Sequence, residues 1–166
     1  MSENLNDDHI FSFGHIILQW GRFESGIDGL IRDLWCLNEF DGMLLTSNMN
    51  YANKRMSLLA ITESPMPSIN KSDRDKIQNI LKRARHLYAI RNDVAHGLWA
   101  NGKKPASIKP LSVKGRGKIK IRGLADNEPC YTAPQLMKKA DVLYELTEDL
   151  LKLRGRIAKK RRRTKS

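Results

Sequence analysis

Three long stretches of this chain place apolar residues at steps of three and four, and that spacing confines it to a helical fold. Between about Asp8 and Asn38 the stripe is Ile10, Phe13, Ile17, Trp20, Phe23 or Ile27, Leu30, Ile31, Leu34 and Leu37. From Ser72 it is Ile77, Ile80, Leu81, Ala84, Leu87, Tyr88 and Ala95. After Thr132 it is Leu136, Met137, Ala140, Leu143, Tyr144, Leu146 or Thr147, Leu150, Leu151 and Leu153. Each set covers one face of a helix and predicts a buried side there. A shorter helix is expected from Tyr51 to Thr62, through Met56, Leu58, Leu59 and Ile61. It is stopped by Ser64-Pro65-Met66-Pro67, since proline cannot continue a helix. Four amphipathic helices imply an all-α, antiparallel four-helix bundle over residues 1–155.

The punctuation between helices fits that count. Asn38 to Asn50 reads as a loop, with Asp41-Gly42 as its turn signal. Ser72 is the expected cap of the third helix, with Asp73 and Asp75 in the first turn, where negative charge complements the helix dipole. Gly97 supplies its C-terminal stop. Gly14, Gly21, Gly26 and Gly29 crowd the first helix and are expected to mark close approach of a neighbour. Residues 98–131, rich in glycine and proline, break the helical pattern. Ile108, Val113, Ile119 and Ile121 alternate there, as a hairpin turning near Gly115-Arg116-Gly117 or a basic loop would have them. Residues 156–166 read as a disordered basic tail.

Charge narrows the partners. The chain of 166 residues carries a net charge of +12. Eight Lys/Arg and no acid fall between Lys103 and Arg122, and nine and no acid between Lys152 and Ser166. The remaining 13 bases face all 18 acids. Basicity gathered into two segments points to a polyanion, nucleic acid before membrane. Lys114, Arg116, Lys118, Lys120 and Arg122 in the insertion, and Lys159, Lys160, Arg161, Arg162 and Arg163 in the tail, are the candidate RNA-binding residues. The two cysteines, Cys36 and Cys130, stand far apart in sequence and are read as reduced thiols. The acidic N-terminus does not resemble a signal peptide, and no apolar run is long enough to span a membrane. The expected location is cytoplasmic.

One stretch brings chemistry-bearing residues to a helix end: Arg91-Asn92-Asp93-Val94-Ala95-His96-Gly97. Arginine binds phosphate with a planar set of donors, and histidine exchanges protons near neutral pH. In RNA, a histidine can take the proton of a 2′-hydroxyl or deliver one to the leaving 5′-oxygen, while an arginine stabilises charge on the phosphoryl group. Asn92 and His96, four apart, share a helix face. Arg91 and His96 diverge on an ideal helix, so they meet on one substrate only if the helix loosens near Gly97 or a second copy completes the site. A cation pair at a helix C-terminus is also a plain response to the dipole. No acidic cluster suited to Mg²⁺ surrounds the stretch, and no metal or cofactor is implied.

The heptapeptide and its setting resemble the HEPN superfamily. Arg91 to His96 fits the R-x4-H motif in its RNxxxH form. The motif ends the third of four main helices, an insertion precedes the fourth, and Trp20-Gly21-Arg22-Phe23-Glu24 is similar to an aromatic–acid pattern of the first helix. The likeness spans about residues 8–155. It implies a metal-independent endoribonuclease working as a homodimer, often a toxin or antiviral effector, with an antitoxin or other regulatory protein as a further partner. Arg91 and His96 would be the core pair, Asn92 their polar partner and Glu24 an auxiliary acid. Other members bind nucleic acid or nucleotides without cleavage or serve as helical interaction proteins, and these remain the rival readings. His86 is expected to be a surface or packing residue, and Trp99 a core residue before a base-stacking platform.

Overall fold

The computed structural model describes residues 5–64, 69–116, 118–122 and 129–164; for 112–122 and 161–164 it describes the backbone alone. The element order is α1 (Asp7–Trp35), α2 (Glu39–Ser47), α3 (Tyr51–Glu63), α4 (Lys71–His96), β1 (Leu98–Asn101), β2 (Ser107–Arg116), β3 (Lys118–Arg122), β4 (Tyr131–Thr132) and α5 (Ala133–Thr164). The fold is helical with a small antiparallel β-insertion, and among the described residues it has five helices, not four.

The added helix is α2, in the span read as a loop. Its cap is regular: Asn38 is extended, and its side chain accepts from the Asp41 N–H at 2.9 Å. Its buried residues are Gly42 and Thr46, while Phe40, Met43 and Leu44 are exposed. A helix that buries a glycine and a threonine leaves no apolar stripe to find. Asn50 caps α3 in the same way through the Asn53 N–H, at 2.9 Å. The α4 cap lies two residues before the expected Ser72, where Asn70 Oδ1 accepts from the Asp73 N–H at 2.9 Å.

The chain divides into two compact units, Met1–Trp20 with His86–Leu143, and Gly21–Arg85 with Tyr144–Ser166. α1, α4 and α5 each contribute to both. In the first unit the buried side chains include Ile16, Trp20, Leu87, Ile90, Ile108, Leu136 and Leu143. Here the expected stripe is shifted. Ile10 and Ile17 are exposed, and His9, Ser12, Ile16 and Gln19 are buried instead. Ser12 satisfies its hydroxyl by donating to the carbonyls of Asp8 (2.7 Å) and Ala133 (3.1 Å), which fixes the start of α1 against the start of α5.

The insertion belongs to this unit. It forms a four-stranded antiparallel sheet with β2 central, flanked by β1 and β3 and also paired with β4. The expected hairpin is β2–β3, in the register Ser112↔Arg122, Lys114↔Lys120 and Arg116↔Lys118. The basic residues thus occupy one set of alternating positions, and Val113, Gly115, Ile119 and Ile121 the other.

In the second unit Phe23, Ile27, Leu30, Leu34, Leu58, Ile77, Leu81, Leu146, Leu150 and Leu153 are buried. Gly26 and Gly29 are close-approach sites as expected. A Cβ on Gly26 would meet Leu150 Cδ2 at 2.8 Å, and one on Gly29 would meet the Arg154 guanidinium. Gly14 and Gly21 are not, since a Cβ on either would meet nothing within 4 Å. Polar ties cross this core. Lys54 is buried with its Nζ 2.9 Å from Asp28 Oδ2, and Arg154 Nε lies 2.9 Å from Asp33 Oδ2. α5 does not give way to a tail near Gly155. It continues to Thr164, buries Ile157, and places Lys160 Nζ 2.6 Å from Asp73 Oδ2.

Candidate functional site

The Arg91–His96 stretch occupies the last two turns of α4, in the first unit. The preceding turns anchor it, with Leu87 and Ile90 buried and Tyr88 against Trp20 at a ring-centroid distance of 5.4 Å. After it, β1 carries Trp99 into contact with Phe13 (4.8 Å between centroids) and, edge-on, with Tyr131 (6.5 Å). Trp99, expected in the core, is only half-buried, though its ring contacts tie the strand after the motif to α1. His86 is exposed, as expected.

The helix does not loosen. His96 is its last residue, and the Gly97 N–H still donates to the Asp93 carbonyl at 2.8 Å, the ordinary i−4 bond. A side chain at Gly97 would collide with that carbonyl, which explains the glycine directly behind the motif. At about 100° per residue, Arg91 and His96 stand roughly 140° apart around the axis, and Asn92 and His96 roughly 40°. Of the two routes by which one substrate could meet both residues, the regular backbone removes local fraying.

Arg91, Asn92 and Asp93 are half-buried and His96 is exposed. Arg91 Nη1 donates to Asn92 Oδ1 at 3.0 Å. This bond uses the Asn92 side-chain oxygen as acceptor and none of its amide N–H donors. Arg91 Nε is buried with no acceptor among the described residues. The half-buried guanidinium and amide of this pair carry N–H donors, which suit an anion and not a cation. His96, one turn on, adds a group that both accepts and donates.

Glu24 is half-buried in the second unit, whereas Arg91, Asn92 and His96 belong to the first. Of the expected RNA-binding residues, Lys159 is exposed on α5, and Lys160 is engaged with Asp73. Lys114, Arg116, Lys118, Lys120 and Arg122 stand at the β2–β3 register positions given above, and Arg161, Arg162 and Arg163 on the last turns of α5. The side chains of these eight lie outside the described residues. Among the described residues no group of three or more His, Cys, Asp or Glu side chains is placed to hold a metal ion, and no helix is long and apolar enough to cross a membrane.

Asp73 is what the sequence undersold. It offered only a first-turn charge for the dipole. The residue is buried, its side chain 3% exposed, and it pairs with both Lys160 and Arg156, the latter at 3.3 Å. The run of bases on the last turns of α5 was the available signal.

No family model matches the chain, and neither a curated protein nor a solved structure matches it.

Proposed function

We propose that this chain is a metal-independent endoribonuclease of the HEPN type, acting as a homodimer, in the manner of a toxin or antiviral defence effector. The observation that carries the reading is the donor cluster of Arg91 and Asn92 one turn before an exposed His96, on a helix end that stays regular. Arg91 and Asn92 hold the scissile phosphate through N–H donors. His96 of one copy takes the proton from the 2′-hydroxyl, whose oxygen attacks the adjacent phosphorus. The bond to the 5′-oxygen breaks, and His96 of the second copy delivers a proton to it. The products are a 2′,3′-cyclic phosphate and a 5′-hydroxyl. Because Arg91 and His96 face away from each other on an unbroken helix, a second copy is the economical way to bring both kinds of group to one phosphate.

The surface of the first unit supports association. Ile10, Phe11, Ile17 and Leu18 form an exposed apolar face on α1, and Leu98, directly after the motif, is exposed as well. Such a face is unusual for a monomer. The basic positions of β2–β3 and the end of α5 would gather the strand, and an antitoxin or regulator would cover the site.

The test is cleavage of 5′-labelled single-stranded RNA in EDTA, with the ends mapped. Cutting of RNA, no cutting of a 2′-O-methyl strand and a cyclic phosphate terminus are expected. Tight binding without cutting would instead favour the non-catalytic nucleic-acid or nucleotide-binding module.

A further inference from the structure

Within the second unit, α4 and α5 border a groove of about 750 Å³. Lys76 and Arg83 line it from α4, and Lys152, Arg156 and Lys159 from α5, with Asp149 the lone carboxylate among the described lining residues. Lys76 and Arg83 are seven apart, as are Lys152 and Lys159. Each rim therefore carries positive charge over two helical turns, about 10 Å. Buried Ile80 and Leu153 lie beneath.

These charges are largely uncompensated. Lys76, Lys152 and Lys159 hold no ion pair among the described residues. Arg83 approaches Glu145 only at 3.9 Å, with both side chains well exposed, a pair that contributes little. Arg156 alone is firmly engaged, through Asp73. Lys152 and Lys159 stand four and three residues from Arg156 on α5, where like charges repel, and neither is held by an ion pair among the described residues. Gly155 adds a second observation. It lines the groove from within a helix, where glycine is unfavourable, yet a Cβ there would meet nothing within 4 Å. Unlike Gly26, it makes room for no neighbour in its own unit. The groove is open at this position.

We propose that this groove is a channel for the backbone of single-stranded RNA, whose phosphates are contacted by the lysines of its two basic rims. A strand lies edgewise between two helices, whereas a duplex would rest on the rims. The channel is built from residues other than Arg91, Asn92 and His96, and it holds RNA whether or not that site cleaves.

The test measures binding of a fluorescent 2′-O-methyl RNA strand to the full chain by anisotropy, between roughly 50 and 200 mM salt. The probe lacks the attacking hydroxyl, so it is not consumed, and failure here leaves the cleavage reading untouched. Lys76→Gln/Lys152→Gln/Lys159→Gln should reduce the slope of log affinity against log salt by about 2, from about 0.7 per lost phosphate contact. Lys82→Gln/Arg85→Gln/Lys138→Gln, exposed and off the groove, should change it by less than about 1. Equal effects would mean diffuse attraction and overturn the channel, as would an unchanged slope in the groove variant. Gly155→Leu fills the groove without altering charge and should weaken binding about tenfold, the equivalent of about 1.4 kcal/mol. Unchanged affinity there overturns the proposal, and this variant decides if the triple variant loses its helical circular dichroism. Loss of binding to phosphatidylserine vesicles in the groove variant, with RNA binding intact, would assign the groove to a membrane surface and likewise overturn it.

Discussion

At the N-terminal end of α4, Asp73 is buried and closed into pairs with Arg156 and Lys160, and its backbone N–H is capped by Asn70. At the C-terminal end, Arg91 has a neighbouring amide for a partner and a buried Nε without one, and His96 stands in solvent. One helix thus carries charge used for structure at one end and charge left available at the other. A polar group that is paired and buried fixes the fold; one that is held in place but unpaired is ready for a ligand.

Substitutions at the two ends test that contrast. The largest effect on stability is expected at Asp28→Ala, which strands the buried Lys54 ammonium and should cost about 3–5 kcal/mol in urea unfolding. Asp73→Ala should cost less, about 1.5–3 kcal/mol, because Arg156 and Lys160 are 46% and 47% exposed and return to water when released. A cost below about 0.5 kcal/mol there would remove the structural role of this end of α4. Gly14→Ala or Gly21→Ala should stabilise by about 0.5–1 kcal/mol, since the added methyl finds open space. Gly26→Ala, which pushes on Leu150, should not. The smallest effect is expected at His96→Ala, within about 0.5 kcal/mol of the parent. A loss above about 1.5 kcal/mol would make this end structural too and erase the contrast.

What the sequence revealed depended on which physical signal each element carries. α3, α4 and α5 bury leucines and isoleucines at helical spacing, and most of their cores followed from periodicity, although Met56, Ala95, Tyr144 and Leu151 of the expected stripes are exposed. α2 escaped because its inward face is Gly42 and Thr46 while Phe40, Met43 and Leu44 face water. The first turns of α1 misled for the same reason. Ile10 and Ile17 looked like a core stripe, but the buried side includes His9, Ser12 and Gln19, and the hydrogen bonds that hold His9 and Ser12 are ones periodicity does not register. The hairpin in the insertion was legible from alternation; β1 and β4, of four residues and two, are too short to alternate. At the end of α5, net charge suggested a chain that could not pack, yet buried Ile157 and the long-range pair from Lys160 to Asp73 hold it helical. The Arg91–His96 stretch was visible as a motif, and so was its angular divergence. The bond between Arg91 and Asn92 and the orphaned Nε were not, because both depend on rotamers that only packing selects.

We propose that Arg91 and His96 at the open end of α4 act together in cleaving RNA. Single-turnover cleavage of labelled RNA in EDTA, comparing the parent chain with His96→Ala at matched helicity, tests it most directly. A loss of about 10²–10⁴-fold is expected for His96→Ala. Cleavage by His96→Ala within about tenfold of the parent would contradict it.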